Sequence, residues 1–393
     1  MENVICEERD LKYVLNFKGH IDSANANAIE DFINSKKNEF ISKEVIIDAE
    51  HLEYISSAGL RIILRLLKDH PEIRIINVSK DVYDVFQMTG FTEMLPIEKA
   101  FRKLSVEGCE VIGHGSNGIV YRIDPDTIIK VYKNKDSLPD IKRETDLAHK
   151  ALIMGIPTAI PYDVVKVGDT FGSVFELLNA TSFSKILNAD PSRMDECLTM
   201  YVDLLKKIHA THIKPGDMPD MKAVSSKWIL FLKDYLEPSK YEKLVRLMDT
   251  IPSKDTMIHG DYHTKNVMLQ NGEVLLIDMD TLAMGHPVFE IASMYLAFVG
   301  FGEMDHSRVT EFMGLPFDLA EEFFNKGMAL YLGTDDKEKI QDVIDKGRII
   351  GYVRIIRRTI RRIGLDNAEG KKMVDFFTGE LYSLLDKTDT LNF

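Results

Sequence analysis

Two short segments in the second half of the chain combine residue types that could transfer a phosphate group. Residues 259–266 read HGDYHTKN, and residues 277–280 read IDMD. One carboxylate of such a set can accept the proton of a hydroxyl group. An amide oxygen and a second carboxylate can hold Mg²⁺ against phosphate oxygens. A hairpin signal, Gln270-Asn271-Gly272, lies between the two segments.

A glycine-rich segment lies upstream at residues 113–120, GHGSNGIV, which fits the pattern G-x-G-x-x-G-x-V. Glycines there let backbone N–H groups approach phosphate oxygens. A dinucleotide-binding turn gives a similar pattern, but it requires a helix directly after the glycines. Here the β-rich stretches 119–123 and 128–131 follow instead, which favours a kinase loop. The nucleotide-contacting residues predicted in this loop are Gly113, Gly115, Ser116, Gly118 and Val120.

Two further residues match a kinase nucleotide site. Lys130 lies where a kinase places the strand lysine that holds the α- and β-phosphates of ATP. Glu144, in a helical pattern from about residue 141 to 152, is its predicted partner. Either residue alone would be interpreted as a surface charge.

These motifs, together with the G-x-P-x-x-E stretch at residues 285–290, resemble the aminoglycoside and choline kinase superfamily. The resemblance implies that Asp261 is the catalytic base and that Asn266 and Asp278 bind Mg²⁺. It also implies that adenine rests on the segment 175–177, so Glu176 and Leu177 are predicted to contact ATP. Asp280 is predicted to assist with metal or substrate.

The roles of two further features of this region have alternative interpretations. The set His259, Asp261 and His263 could bind a transition metal, but the order of the other motifs favours the kinase interpretation, with His259 a structural residue. Glu290 stands where relatives generally carry Asp, at a position that ties down the catalytic loop, and its longer side chain could still reach. His209 is predicted to be a structural core residue.

The first hundred residues carry a second resemblance. Residues 48–60, DAEHLEYISSAGL, run from a β-rich strand into an apolar helix. With residues 19–22 and 88–91 they resemble the STAS domain of bacterial anti-sigma factor antagonists. The resemblance implies phosphorylation of Ser57, which would add about −1.5 to −2 charge at a helix start. Ser56 occupies the place where switching relatives often carry Asp, and Ser57 acting as an ordinary helix cap was the alternative.

The patterns therefore predict two domains. Residues 1–104 are expected to form an α/β STAS domain. Residues 105–393 are expected to form an α+β, two-lobed, protein-kinase-like phosphotransferase, with an N-lobe at about 105–180 and a helical C-lobe at about 181–393.

A basic amphipathic pattern occurs near the C-terminus. Its arginines share one helical face: Arg354, Arg357, Arg358, Arg361 and Arg362. In isolation this pattern is typical of a membrane-surface helix. The preferred interpretation is a packed helix whose arginines meet carboxylates of the protein, and binding of an anionic substrate or partner is the alternative.

Composition limits the remaining function classes. The chain has 393 residues, 49 Lys and Arg against 62 Asp and Glu, and a formal charge of −13. This charge opposes nucleic-acid binding. The three cysteines are far apart, which favours a reducing cytoplasm. No signal sequence or membrane-length apolar segment is recognised.

The leading hypothesis is an ATP- and Mg²⁺-dependent phosphotransferase that acts on a hydroxylated small molecule and carries a STAS module that regulates it or docks a protein partner. A second hypothesis is a signalling kinase that phosphorylates Ser57 or a separate antagonist protein. A third, a nucleotide-binding scaffold without turnover, conflicts with the intact set of Lys130, Asp261, Asn266 and Asp278.

Overall fold

The computed structural model describes residues 2–9, 12–40, 43–114 and 118–393. The chain forms two compact units, Met1–Leu104 and Ser105–Phe393. None of the helices within the described ranges combines the length and apolar character that a bilayer crossing requires.

The first unit is built around a five-stranded sheet of order β1-β2-β3-β4-β5, in which only the β1–β2 pair is antiparallel. Its strands are β1 (Val4–Arg9), β2 (Lys12–Ile21), β3 (Glu44–Ile55), β4 (Arg74–Val78) and β5 (Ile97–Lys99). Its helices are α1 (Ala26–Phe40), α2 (Ser57–Asp69), α3 (Lys80–Met88) and α4 (Phe91–Met94). Consecutive buried residues at the start of β3, Val45, Ile46 and Ile47, are typical of a strand covered on both faces.

The second unit begins with an antiparallel sheet of order β6-β7-β8-β10-β9. Its strands are β6 (Glu110–His114), β7 (Gly118–Asp124), β8 (Thr127–Tyr132), β9 (Pro161–Val167) and β10 (Thr170–Glu176). Helix α5 (Leu138–Ile153) crosses from β8 to β9 and buries Ile141, Leu147 and Ala151. This sheet and helix form the N-lobe.

The remainder is a helical lobe with short strands. Its helices are α6 (Phe183–Ala189), α7 (Met194–His209), α8 (Met221–Phe231), α9 (Pro238–Asp249), α10 (Val288–Phe298), α11 (Ser307–Met313), α12 (Phe317–Leu332), α13 (Lys337–Arg362) and α14 (Ala368–Lys387). Its strands are β11 (Thr181–Ser182), β12 (Met257–Ile258), β13 (Val267–Gln270), β14 (Glu273–Leu276) and β15 (Ala283–Met284). The predicted hairpin is β13–β14, and its turn residues Asn271 and Gly272 have φ of 51° and 85°, as a type I′ turn requires.

Helix α10 is the centre of this lobe, and every one of its residues is buried. Helix α13 packs against it at short range because Gly347 and Gly351 face it. A Cβ on Gly347 would lie 2.7 Å from the side chain of Ile291, and one on Gly351 would lie 3.2 Å from the carbonyl oxygen of Ala292. The apolar face of α13 is therefore fixed in the core, and its opposite face is held at a defined position.

The predicted fold class, an α/β STAS domain followed by a two-lobed kinase-like phosphotransferase fold, is confirmed. The membrane-surface interpretation of α13 is wrong, because Ile349, Val353 and Ile356 on its apolar face are buried inside the protein.

Candidate active site

Lys130 and Glu144 form an ion pair between the N-lobe sheet and helix α5. Lys130 lies on β8, and its Nζ is 2.8 Å from Oε1 of the buried Glu144. The hydroxyl of Tyr132 donates to the other carboxylate oxygen at 2.6 Å. Burial by itself would lower the pKa of Lys130, but the carboxylates of Asp278 and Glu144 raise it above its ordinary value. The lysine therefore carries a fixed positive charge.

The described part of the glycine loop lies beside this pair. Gly113 belongs to β6 and Gly118 begins β7, while Gly115 and Ser116 lie outside the described residues. A Cβ on Gly118 would collide with the carbonyl oxygen of Val131 on the neighbouring strand. Val120 pairs with Lys130 across β7 and β8. The backbone of the lysine therefore lies opposite the strand that leaves the glycine loop.

A cavity of about 340 Å³ opens between the lobes. Its polar lining consists of Lys130, Glu144, Thr158, Asp261, Asp278 and Asp280, and its apolar lining includes Val120, Ile128, Phe175 and Ile277. This combination of an apolar part and a charged end suits a purine attached to phosphates.

The predicted adenine-binding segment borders this cavity through Phe175. The N–H group of Glu176 donates to the carbonyl of Ile160 at 3.0 Å, and that of Leu177 donates to the carbonyl of Asp126 at 2.8 Å. These two N–H groups therefore already have acceptors within the protein, and Phe175 is the member of the segment that lines the cavity.

Asp261 lies on the loop between β12 and β13, where the side chains of His263 and Asn266 contact it. Nε2 of the buried His263 is 3.4 Å from Asp261 Oδ2. The side-chain amide of Asn266 donates to the Asp261 carbonyl at 3.0 Å. The amide oxygen of Asn266, Oδ1, can then act as a metal ligand. Burial opposes ionisation of Asp261, but His263, Arg354 and His259 together lower its pKa below the ordinary value. Asp261 is thus held as a carboxylate.

Asp278 and Asp280 follow β14. Asp278 has a positive φ of 61°, and its Oδ1 is 3.4 Å from Lys130 Nζ. Burial is the main cause that raises the pKa of Asp280 to about 6, and the charges of Glu144 and Asp278 add to it against the opposing charge of Lys130. Asp278 and Asp280 line the same cavity as Asp261, and the side chain of Asn266 contacts Asp261. Carboxylate and amide oxygens are the types of ligand that Mg²⁺ prefers.

Glu290 reaches the loop that carries Asp261 despite its extra methylene relative to Asp. Its fully buried carboxylate accepts the backbone N–H groups of His259 and Gly260, the latter at 2.9 Å. His209 Nδ1 hydrogen bonds to the Tyr331 hydroxyl at 2.7 Å. Burial disfavours the charged form of Glu290, yet His209, His259 and these backbone contacts lower its pKa overall.

The transition-metal interpretation finds no support in the geometry. Across ranges 2–9, 12–40, 43–114 and 118–393, no three side chains of His, Cys, Asp or Glu are grouped to hold a metal ion. Nδ1 of the buried His259 instead accepts the N–H of Asp261 at 3.3 Å.

Three residues have roles at this site that the sequence did not assign to them. Tyr132 orients Glu144, His263 acts on Asp261, and Arg354 donates to the carbonyl of Gly260 at 2.9 Å. His263 had a sequence signal in its position two residues after Asp261. The contact of Arg354 joins elements that are far apart in the chain.

Within the described residues, the expected direct pairing of the α13 arginines with carboxylates is not found, and Asp261 acts on Arg354 and Arg358 only through its charge. The charged face of α13 lines a second cavity of about 690 Å³, which also reaches Asp261 and Asp280. Within the described residues, Arg354 contacts a backbone carbonyl and an aromatic ring, Trp228, in place of a carboxylate.

In the first unit, the helix cap is Ser56, whose side chain accepts the N–H of Ala58 at 3.2 Å. The alternative that Ser57 is the N-cap is therefore wrong. Ser57 is the first helical residue, and it is exposed.

Comparison with known proteins agrees with this arrangement. Residues 108–312 match the phosphotransferase enzyme family, APH, and residues 3–104 match the STAS domain. The chain belongs to the phosphotransferase enzyme family, with an N-terminal STAS domain, and is an enzyme of the kinase type. The STAS region is 31% identical over 84 residues to BtrV of Bordetella bronchiseptica, provisionally designated an anti-sigma factor antagonist, covering 20% of this chain and 72% of the relative.

Solved structures with a similar course of the chain include aminoglycoside phosphotransferase APH(2'')-Ib bound to ADP, at 15% identity, TM-score 0.49, and coverage of 70% of this chain and 93% of that one. The ternary complex of APH(2'')-IIa with streptomycin and ATP is 14% identical, with a TM-score of 0.49, and the match covers 78% of this chain and 97% of that one. A choline/ethanolamine kinase family protein from Mesorhizobium loti is 14% identical, with a TM-score of 0.45, and the match covers 71% of this chain and 88% of that one.

Proposed function

We propose that the protein transfers the γ-phosphate of ATP to a hydroxyl group of a small molecule and requires Mg²⁺. The observation that carries this proposal is the common cavity of Lys130, Glu144, Asp261, Asp278 and Asp280. The cavity is lined by one lysine and several carboxylates, which come from β8, α5, the Asp261 loop and the segment after β14. Family membership supports the same reaction class.

Each residue has a distinct role in this proposal. Lys130, held by Glu144, binds the α- and β-phosphates. Asp261, kept ionised by His263, accepts the hydroxyl proton as the acceptor oxygen bonds to the γ-phosphorus and the bond to the β-phosphate oxygen breaks. Asn266 and Asp278 are the proposed ligands of Mg²⁺, and Asp280 borders them. When bound, Mg²⁺ would neutralise negative charge on the β- and γ-phosphates.

The glycines of the loop and the segment after Phe175 complete the proposed ATP site. Gly113, Gly115, Ser116 and Gly118 are the proposed phosphate contacts, and Val120, which lines the cavity, is the proposed adenine contact. Glu176 and Leu177, next to the lining residue Phe175, are further proposed ATP contacts. We further propose a reducing cytoplasm as the location, since ATP is available there and Cys6, Cys109 and Cys197 are free thiols.

The test is ADP formation by the full chain with Mg²⁺ and ATP, with and without a collection of hydroxylated metabolites. Asp261→Asn should lower transfer by about 10²- to 10⁴-fold, the usual contribution of a general base, while nucleotide affinity changes little. The matched control is Asp249→Asn, which makes the same change at an exposed site on α9. Equal rates for Asp261→Asn and the unchanged chain would contradict the proposal.

A second candidate function is signalling through phosphorylation of Ser57. The observation that favours it is the exposure of Ser57 at the first position of α2, where a phosphate would meet the positive end of the helix dipole. We propose that the STAS domain binds a protein partner near this position. Intact-mass spectrometry after incubation with Mg²⁺ and ATP tests the reaction, with Ser57→Ala and Asp261→Asn as controls. An unmodified chain would count against this candidate.

A further inference from the structure

One face of helix α13 brings five arginines to a cavity that borders the catalytic base. The residues that share this face are Arg354, Arg357, Arg358, Arg361 and Arg362. The cavity has a volume of about 690 Å³ and shares Asp261 and Asp280 with the nucleotide cavity. A molecule bound there could present a hydroxyl group to Asp261 while ATP occupies the neighbouring space.

The protein offsets the charge of these arginines only in part, through the carboxylate of Asp261, whose charge acts on Arg354 and Arg358. Among the described residues none of the five forms an ion pair with a carboxylate, whereas Arg348 on the same helix pairs with Asp345 at 3.0 Å. Arg357 and Arg358 instead lie over the rings of Phe231 and Phe301, at 5.7 and 5.8 Å from their centroids.

Partial burial makes the unpaired positive charge of these arginines more unfavourable. Nε of Arg357 is buried without a hydrogen-bond partner in the described structure. Burial and the charge of Arg361 lower the pKa of the half-buried Arg357. Partial burial of its guanidinium, Arg362 and Arg354 lower the pKa of Arg358, whose side chain is still largely exposed, and the carboxylate of Asp261 opposes this. Positive charges partly removed from water and close to one another destabilise the free protein. An anion placed among them would relieve both the desolvation and the mutual repulsion.

We propose that this cavity is the acceptor site and that the acceptor is a hydroxylated small molecule that already carries a phosphate group. The inference rests on the proposed phosphotransfer function. Guanidinium forks bind phosphate oxygens in pairs, and five of them exceed the two carboxylates of the lining. The volume lies within the range of small-molecule sites, about 300–1,000 Å³.

The same charge distribution excludes polycationic acceptors. Aminoglycosides carry several ammonium groups at neutral pH, and these would meet the arginines of α13. In the proposed step the hydroxyl proton passes to Asp261, the acceptor oxygen bonds to the γ-phosphorus of ATP, and ADP leaves with the electrons of the broken bond. The product therefore carries two phosphate groups.

The first test measures binding without catalysis. Trp228 is the one tryptophan of the chain and lines the cavity, 5.9 Å from the guanidinium of Arg354. Its fluorescence is titrated with inorganic phosphate and pyrophosphate, and with sodium chloride at equal ionic strength. We expect a saturable change with the phosphates alone. A response that chloride reproduces, or the absence of a saturable response, would overturn the proposal.

The matched variants are Arg358→Gln with Arg361→Gln, both at exposed positions, and Arg246→Gln on α9. The double variant should weaken phosphate binding by at least about tenfold, since hydrogen bonds to charged groups are lost. Arg246→Gln makes a comparable change outside the cavity and should bind as the unchanged chain does. Equal weakening by both would overturn the assignment of the site. Urea unfolding of each variant establishes that the fold is retained.

The second test measures ADP formation with matched compounds: sugar and polyol phosphates, their unphosphorylated parents, the corresponding sugar acids, and kanamycin. We expect the phosphorylated compounds to be preferred, with a KM that the double variant raises at least about tenfold. Preference for a parent compound, a sugar acid or kanamycin, or phosphate appearing on Ser57 alone, would overturn the inference. Absence of any Asp261-dependent ADP formation would instead contradict the phosphotransfer function, and the Trp228 titration would still decide the anion site.

Discussion

The carboxylate of Glu290 accepts the backbone N–H of Gly260 at 2.9 Å, directly before Asp261, the proposed catalytic base. The guanidinium of Arg354 donates to the carbonyl of the same residue at 2.9 Å. Gly260 is therefore fixed from both sides by α10 and α13, two helices that pack on each other. Because Asp261 follows Gly260 in the chain, these two hydrogen bonds also determine where the carboxylate of the proposed base lies.

Glu290→Gln should reduce both stability and turnover. The amide has one oxygen, so one of the two backbone N–H groups of the loop loses its acceptor in a fully buried site. The expected loss in the free energy of unfolding is about 1–3 kcal/mol. Urea unfolding followed by Trp228 fluorescence reports on the phosphotransferase unit alone, because the chain has one tryptophan. A variant with unchanged stability and turnover would show that the contact is dispensable.

Gly260→Ala should be strongly destabilising. Gly260 has φ of 78°, and a Cβ would lie 2.7 Å from the carbonyl oxygen of Thr281. The matched control is Gly379→Ala in the middle of α14, where nothing lies within 4 Å of the added methyl group. That control should stabilise the protein by about 0.5–1 kcal/mol through helix propensity. Opposite signs in the two unfolding experiments are expected, and equal effects would contradict the packing described at Gly260.

Lys130→Met should raise the KM for ATP and lower turnover, because the charge held between Glu144 and Asp278 is removed. Tyr132→Phe removes only the hydrogen bond to Glu144 and should produce a change of the same direction but smaller size, about two- to tenfold. Steady-state kinetics with varied ATP measures both. A larger effect from Tyr132→Phe than from Lys130→Met would contradict the assigned order of importance.

His263→Ala should move the acid limb of the pH–rate profile to higher pH. The hydrogen bond and charge of His263 are the main causes that lower the pKa of Asp261 against the opposing effect of burial. Without them the carboxylate takes up its proton at a higher pH, and the proton acceptor is lost earlier on acidification. The measurement is kcat/KM across pH. An unmoved limb, together with a uniform loss of rate, would indicate that His263 has only a packing role.

His286 should make the phosphotransferase unit sensitive to acid. Its side chain is 1% exposed, and burial lowers its pKa from 6.5 to about 4. Between these pH values the unfolded chain binds a proton that the folded chain does not, so the free energy of unfolding falls as pH drops from about 6.5 to about 4. The loss from this group is on the order of 2 kcal/mol.

The variant His286→Asn keeps an acceptor for the N–H of Val288, which His286 Nδ1 contacts at 3.1 Å. Urea unfolding at pH 7 and pH 5 should show a smaller difference for this variant than for the unchanged chain. His149→Asn, at an exposed position of α5, should retain the full difference. Equal pH dependence of all three proteins would remove His286 as the cause.

Several features followed from the sequence because they are local. The dipeptide Asn271-Gly272 favours the positive φ values of a two-residue hairpin turn, and that turn is present. The order of glycine loop, strand, lysine and HGDYHTKN predicted the fold class, which the comparisons confirm. The placement of Ser57 as a helix cap was wrong by one residue, because Ser56 and Ser57 are both competent caps and local sequence does not choose between them.

The sequence by itself determined the class of enzyme, the STAS module and the residue types gathered for phosphate chemistry, since these depend on short motifs and on turn and strand preferences. Only the tertiary structure decided what surrounds those residues. Arg354 is 93 positions from Asp261, and it reaches the loop because glycines of α13 allow close packing on the buried helix α10. Which charges remain unpaired at the cavity depends on packing between distant helices, and hydrophobic periodicity along one helix carries no information about the partners of its polar face.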